Sequence, residues 1–262
     1  MNTIAGPDPY DSTTPSVSVP DYAANLAKGV KGLRIGVPKE YCAEGVEDEV
    51  RESVMAAVKE YEKLGAIVKE VSLPMTKYGV AVYYVTMPTE LSTNLARFDG
   101  VRFGHQAEGV EDLTEYYKTS RGEGFGSEIK RRIMVGTFVS SAGYADAYYK
   151  HAQRVRTLII QDFAAVFKEV DVLMAPVSPT PAFKVGEKAN NPLAMYLADA
   201  LTIPPSAAGV PALSLPCGFT SSGLPVGLQI IGPMWSESLI LQTAAAYEQV
   251  SGLWEKRPII GG

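Results

Sequence analysis

Apolar residues recur along this chain in two rhythms, and the switches between them mark alternating strands and helices. Leu33 to Val37 is a short apolar run stopped by Pro38, which predicts a strand. Val46, Val50, Val54, Ala57, Val58, Tyr61 and Leu64 then follow at helical spacing with Glu and Lys between them, and Gly65 stands at the expected C′ position. Ala66 to Val71, stopped by Pro74, predicts a second strand. A helix is predicted from Tyr78 to Arg97, interrupted near Pro88 because proline removes a backbone donor. Asp99-Gly100 breaks the chain, and residues 100–126, polar and glycine-rich, read as a long irregular stretch.

Ser127 is the expected N-cap of a helix to about Val139. Beyond Gly143 a long helix carries the stripe Tyr148, Ala152, Val155, Ile159, Phe163 and Val166. Asp171 to Ala175, ending at Pro176, has the look of a buried strand, and residues 176–192 of a loop. Asn191 and Pro192 suit the cap and first residue of a short helix to about Leu201, after which Pro204-Pro205 interrupts. Ala212 to Phe219 and Val226 to Ile231 are predicted strands joined by residues 221–225, and Ser236 is expected to cap a last helix through Leu239, Ala244 and Tyr247. No repeat interrupts the alternation, which predicts an α/β layered fold. Ahead of it, Pro7, Pro9, Pro15 and Pro20 among Asp, Ser and Thr make residues 1–30 an extended connector.

Composition narrows the functional classes. The 262 residues carry a net charge of −5 with no basic run, so a nucleic acid is expected to be reached through a partner and not gripped directly. Cys42 and Cys217 lie far apart, in neither a CxxC nor a metal spacing, which suits a reducing cytoplasm. No apolar run approaches the roughly 18 residues of a membrane span, and residues 1–6 lack the charged and apolar regions of a signal peptide.

The chain shows no catalytic centre by residue pattern. There is no GxSxG elbow, and Ser140-Ser141 and Ser206 sit where serines cap helices or line turns. His105 and His151 are isolated, so neither a Ser-His-Asp set nor a metal cluster can be assembled, and no metal ligand is assigned. Gly122, Gly124 and Gly126 alternate without a preceding strand or a following GK[ST]. Two residues stand out on packing grounds. Arg132 falls beside the face carrying Ile129, Ile133 and Gly136, with Arg131 opposite it; a half-buried arginine requires an anion, either a ligand carboxylate or an internal salt bridge. Asp199, in the last turn of the short helix from Pro192, opposes the helix dipole; it is either exposed or stabilised by something bound.

The stretch Ala207-Ala208-Gly209-Val210-Pro211-Ala212-Leu213-Ser214-Leu215-Pro216-Cys217-Gly218, followed by residues 223–229 and Gly232, resembles the C-terminal signature of the amidases. Residues 94–104 (NLARFDGVRFG), 131–138 (RRIMVGTF), Tyr148-Tyr149-Lys150 and 155–158 are similar to stretches of the glutamyl-tRNA(Gln)/aspartyl-tRNA(Asn) amidotransferase A subunits. Ile4 to Thr13 resembles the connector after their catalytic half, and the resemblance runs in order through the whole chain.

The resemblance implies the C-terminal portion of an α/β/α layered mixed sheet of amidase-signature type, spanning 31–262. It implies an A subunit that hydrolyses glutamine to glutamate and ammonia in the cytoplasm. A B subunit using ATP and magnesium would activate glutamate on misacylated tRNA and receive the ammonia, and a small C subunit would wrap around the first. The tRNA would be reached only through the B subunit, no cofactor would bind this chain, and no membrane would be involved. By motif position Tyr83 matches a tyrosine touching the glutamine, Arg132 an arginine holding its α-carboxylate and Asp199 an aspartate holding its α-ammonium. The family's Ser-cis-Ser-Lys triad lies in an earlier glycine- and serine-rich segment that is not found here, where the only Gly-Gly is Gly261-Gly262. No catalytic residue is therefore carried over, and the chain alone is expected to be inactive. Thr86-Met87-Pro88-Thr89 and Ser206 depart from the family, which more often has small residues and asparagine there. A non-catalytic amidase-like binding module, or part of an amidase for another amide, are the alternatives.

Overall fold

The computed structural model describes residues 1–43 and 45–257, so the Gly261-Gly262 pair lies outside the described residues. Arg34–Pro38 forms β1 and Ile67–Val71 forms β2, parallel and in register from Arg34↔Ile67 to Pro38↔Val71. Between them runs α1, Asp48–Lys63, whose stripe of Val50, Val54, Ala57, Val58 and Tyr61 is buried as its spacing predicts. β3, Val172–Pro176, pairs parallel with β1. β4, Ala212–Phe219, and β5, Pro225–Ile231, form an antiparallel hairpin, and β5 also runs antiparallel to β3. The sheet is thus mixed, in the order β2-β1-β3-β5-β4.

Every residue of β3 is buried, as a central strand covered on both faces requires. Val172 and Met174 join a core built with α1 and with α8, Glu237–Ser251. Tyr61 of α1 stacks on Tyr247 of α8 at 5.4 Å and donates its hydroxyl to the carbonyl of Thr243 at 3.1 Å. Each fully buried side chain such as Val54 or Ile230 contributes roughly 1.5–3 kcal/mol. Leu173 and Ala175, alternating with Val172 and Met174, point to the opposite face and are equally inaccessible.

Two glycines of the signature explain themselves by proximity. A Cβ on Gly218 would stand 2.9 Å from Ser53 Oγ of α1, and one on Gly227 would stand 2.9 Å from Val177 Cγ2. At the β1–β3 junction Asp171 accepts from the Arg34 backbone N–H at 2.9 Å and from its guanidinium at 2.6 Å, while the Asp171 N–H donates to the Arg34 carbonyl at 2.8 Å. Residues 1–29 form turns and extended backbone without a helix or strand.

Contacts divide the chain into a sheet unit, Met1–Lys77 with Ile159 onward, and a helical unit, Tyr78–Leu158. The helical unit contains α2, Gly79–Leu95; α3, Leu113–Gly124; α4, Ser127–Ser140; a π-turn, Ala145–Tyr149; and the first part of α5, Lys150–Val166.

Several local expectations are corrected. Pro88 does not interrupt α2, which continues through it. There α4 packs against it, with Gly136 bringing the α4 backbone hard against Pro88. Residues 100–126 are not wholly irregular, since Asp112 caps α3 by accepting from the Glu115 N–H at 2.9 Å. Gly126, not Ser127, holds the cap position of α4, and Ser236 occupies that of α8 without a capping hydrogen bond from its side chain. Asn191 caps α6, Pro192–Leu197, accepting from Ala194 at 3.1 Å, but the helix ends four residues short of Leu201. Pro204-Pro205 does not break the chain; it opens α7, Ile203–Ala208, where prolines have no helical bond to lose.

Candidate functional site

The three residues singled out by sequence fall in both units. Tyr83 lies on α2 and Arg132 on α4, neighbours in the helical unit, whereas Asp199 belongs to the sheet unit. Arg132 is half-buried, with 30% of its side chain exposed against 54% for Arg131. Its Nε donates to Glu128 Oε1 at 3.1 Å, one helical turn back. Arg131 does not point away on its own, because it donates to Glu128 Oε2 at 2.8 Å. One carboxylate thus ties both arginines, and the internal ion pair considered for Arg132 is present. The tie uses only Nε. Among the described residues the two Nη groups of Arg132 have no hydrogen-bond partner, so the outer edge of the fork is open to a second carboxylate. Tyr83, half-buried, packs edge-on against Tyr84 at 5.0 Å, and no described residue bonds its hydroxyl.

Asp199 is not in the last turn of α6. It sits in the turn that follows, where its carbonyl accepts from the backbone N–H groups of Thr202 and Ile203, both at 3.1 Å. It directly follows the C-cap Ala198, and its N–H donates to the Tyr196 carbonyl at 3.3 Å, so the acid still stands at the negative end of α6 as well as ahead of α7. Its carboxylate is exposed and unpaired among the described residues. What holds this turn is Gln229 of β5, buried to 4% exposure, whose amide donates to the Leu201 carbonyl at 3.2 Å and toward Pro176 at 3.5 Å. A cavity of about 300 Å³ opens beside it, lined by Thr202, Pro205 and Ser206 with Ser214 and Gln229.

Glu128 and Gln229 were missed as site residues. Both had a signal: Glu128 stands three and four residues before the two arginines, the spacing of helical ion pairs, and Gln229 is a polar residue inside an apolar strand.

The serines act as backbone caps. Ser140 donates to the Gly136 carbonyl at 2.9 Å, Ser141 to Phe138 at 2.7 Å and Ser206 to Thr202 at 3.1 Å. Among the described residues none of these hydroxyls meets a base, and no group of His, Cys, Asp and Glu converges as a metal site would require. No helix of the described residues is long and apolar enough to cross a membrane.

The NLARFDGVRFG stretch is a scaffold. The Asp99 carboxylate accepts from the N–H groups of Val101 at 2.9 Å and Arg102 at 3.0 Å, and these bonds, Arg102's first, hold its pKa down to about 2. Arg121 of α3 donates to the Leu95 carbonyl at 2.9 Å and to that of Phe98 at 2.7 Å, and Tyr116 to Gly100 at 2.7 Å, so α3 clamps the loop.

Against known proteins, a family model described as Amidase matches residues 1–241. The A subunit of the glutamyl-tRNA(Gln) amidotransferase of Oceanobacillus iheyensis is 55% identical over 262 residues, 100% of this chain and 54% of that protein. Its counterpart in Streptococcus sanguinis, which bears the same name, is 53% identical over 262 residues, again 100% of this chain and 54% of the relative. Among solved structures, the glutamyl-tRNA(Gln) amidotransferase A subunit from Thermotoga maritima matches with a TM-score of 0.73 at 38% identity, covering 94% of this chain and 48% of that one. A bacterial aryl acylamidase of the amidase signature enzymes has the same TM-score of 0.73 at 21% identity, over 97% of this chain and 52% of its own, which shows the fold alone. The chain spans about half the length of the curated relatives it matches, 54% in both cases given.

Proposed function

The chain belongs to the amidase family, and from that premise we propose that it is the glutamine-binding, C-terminal part of a glutamyl-tRNA(Gln) amidotransferase A subunit. In this reading residues 1–30 are a connector and 31–262 complete an amidase-signature domain whose Ser-cis-Ser-Lys set is supplied by residues outside this sequence. The whole subunit hydrolyses glutamine in the cytoplasm. The ammonia passes to a B subunit, which uses ATP and magnesium to amidate glutamate on tRNA(Gln), and a C subunit wraps around the glutaminase. The chain itself holds no cofactor, and alone it binds glutamine without hydrolysing it.

One observation supports the reading above others: Arg132 and Asp199 each keep unspent charge among the described residues. The Nη pair of Arg132 suits the α-carboxylate of an amino acid in bidentate fashion, and the Asp199 carboxylate suits its α-ammonium. Tyr83 would touch the same substrate. A zwitterion clamp has no use in an amidase for apolar amides, which disfavours that alternative. The non-catalytic module is separated from the amidotransferase reading by restoring activity with the missing segment.

Substrate analogues test each role separately, with dissociation constants measured by calorimetry on the 262-residue chain. Arg132→Lys should weaken L-glutamine at least about 10-fold, since one ammonium cannot replace the fork, and leave 4-aminobutanamide, which lacks the α-carboxylate, unaffected. Asp199→Asn should weaken glutamine but not glutaramic acid, which lacks the α-ammonium. Equal losses for glutamine and the truncated analogue would refute the role assigned to that residue. Ammonia released from glutamine by the chain alone, above a buffer control, would refute the assignment of the nucleophile elsewhere.

A further inference from the structure

The helical unit contains a second cavity, of about 380 Å³, lined by Thr89, Glu90, Thr93 and Asn94 of α2, Ser140 at the end of α4, and Tyr149 of the π-turn. It includes none of the residues assigned to glutamine. Its lining is biased toward accepting hydrogen bonds. The hydroxyl hydrogen of Thr89 goes to the Val85 carbonyl at 2.8 Å, that of Thr93 to Thr89 at 3.2 Å and that of Ser140 to Gly136 at 2.9 Å, so these oxygens have only lone pairs left to offer. Tyr149 accepts from Gln153 at 3.0 Å and keeps its own hydrogen, and Asn94 supplies both an acceptor and a donor.

Charge points the same way. The Glu90 carboxylate is exposed and has no partner among the described residues, and no Lys, Arg or His lines the cavity. Two helices end there, α2 at Leu95 and α4 at Ser140, each bringing the negative end of its dipole. Arg121 already serves the carbonyls of Leu95 and Phe98 at the first of these ends. At the second, no described N–H donates to the carbonyls of Val139 or Ser140. The volume, about a dozen waters at roughly 30 Å³ each, exceeds what a bare ammonium would fill.

We infer that this cavity binds an organic cation, a primary ammonium or guanidinium on a short alkyl arm, with Glu90 as its counter-ion. The inference is independent of the glutamine reading, because it rests on different residues and a ligand of different charge. Either a free amine or a basic side chain of another polypeptide could supply that chemistry.

Amide chemical shifts of the ¹⁵N-labelled 262-residue chain test it. n-Butylammonium and agmatine should shift signals of residues 89–94 and 140–149 in a saturable, millimolar-range titration, while n-butanol and butyrate should not. Glu90→Gln should weaken both cations about 5-fold, the size of an exposed ion pair, and Glu108→Gln, a change of the same charge at another exposed acid in this unit, should not. N-acetyl-lysine N-methylamide binding as tightly as the free amines would support a polypeptide side chain as the source; markedly weaker binding would support a free amine. No shift at these residues, equal shifts with butanol, or unchanged affinity in Glu90→Gln overturns the inference.

Discussion

A Cβ placed on Gly136 of α4 would stand 1.9 Å from the carbonyl oxygen of Pro88 in α2, and 2.8 Å from Ser92 Oγ. The two helices therefore meet backbone to backbone, at a separation only glycine permits. Alanine is the better helix former by about 1 kcal/mol, so propensity alone favours Gly136→Ala. Overpacking against a rigid backbone costs about 1–3 kcal/mol or more, and this term wins. Gly136→Ala should lower the thermal midpoint measured by circular dichroism. A raised midpoint would show that α2 and α4 are not in this contact.

Gln229 links the sheet to the turn bearing Asp199. Replacing it with leucine keeps the volume but leaves the Leu201 carbonyl without its side-chain donor. An orphaned buried acceptor costs about 1–3 kcal/mol. Gln229→Leu should destabilise the protein by that order in urea, and amide exchange in residues 199–203 should speed up. Exchange unchanged there would separate the turn's order from Gln229.

Asp99 carries a pH signature. Its pKa is held down to about 2 in the folded chain, from an ordinary 3.8, first by the Arg102 N–H and then by that of Val101. A depressed carboxylate adds stability that is fully present above its unfolded value and is lost as pH falls between about 4 and 2. Asp99→Asn should be less stable than the native chain at neutral pH, and the gap in urea midpoints should narrow through that window. A gap that stays constant with pH would contradict the folded pKa.

Both thiols should be sluggish. Burial pushes Cys217 up to about 12, and burial also raises Cys42, with Arg51 acting against it. Since the thiolate is the reacting form, an aromatic disulfide reagent at mildly alkaline pH should label neither quickly in the native chain and both after unfolding. Rapid labelling of Cys217 in the folded state would contradict its burial.

The strands were legible because prolines or turn residues bounded the apolar runs, Pro38 and Pro176 at the ends of β1 and β3 and Pro225 at the start of β5. α3 was not legible because LTEYYKTSRGEG lacks an apolar stripe; the Asp112-to-Glu115 cap spacing was the signal it carried. Prolines misled twice for opposite reasons. Pro88 lies inside a helix that packs closely on α4 at that point, and Pro204-Pro205 starts a helix at positions where no donor is needed. The half-burial of Arg132 follows from its helical spacing, but its partner could be found only by noting Glu128 one turn earlier. The end of α6 falls at Leu197, four residues before the expected Leu201, because no glycine or charge marks it, and this leaves Asp199 just beyond the helix.

The pairing of β1 with β3 joins Arg34 to Asp171 across 137 residues, with the helical unit in between. At about 5–20 residues per second, a ribosome takes on the order of ten seconds to supply the second partner after the first. During that interval β1 has β2 on one side and nothing on the other. The nascent chain thus passes through a stage in which a bare parallel edge is exposed, and its protection then depends on what else in the cell can cover a strand for seconds.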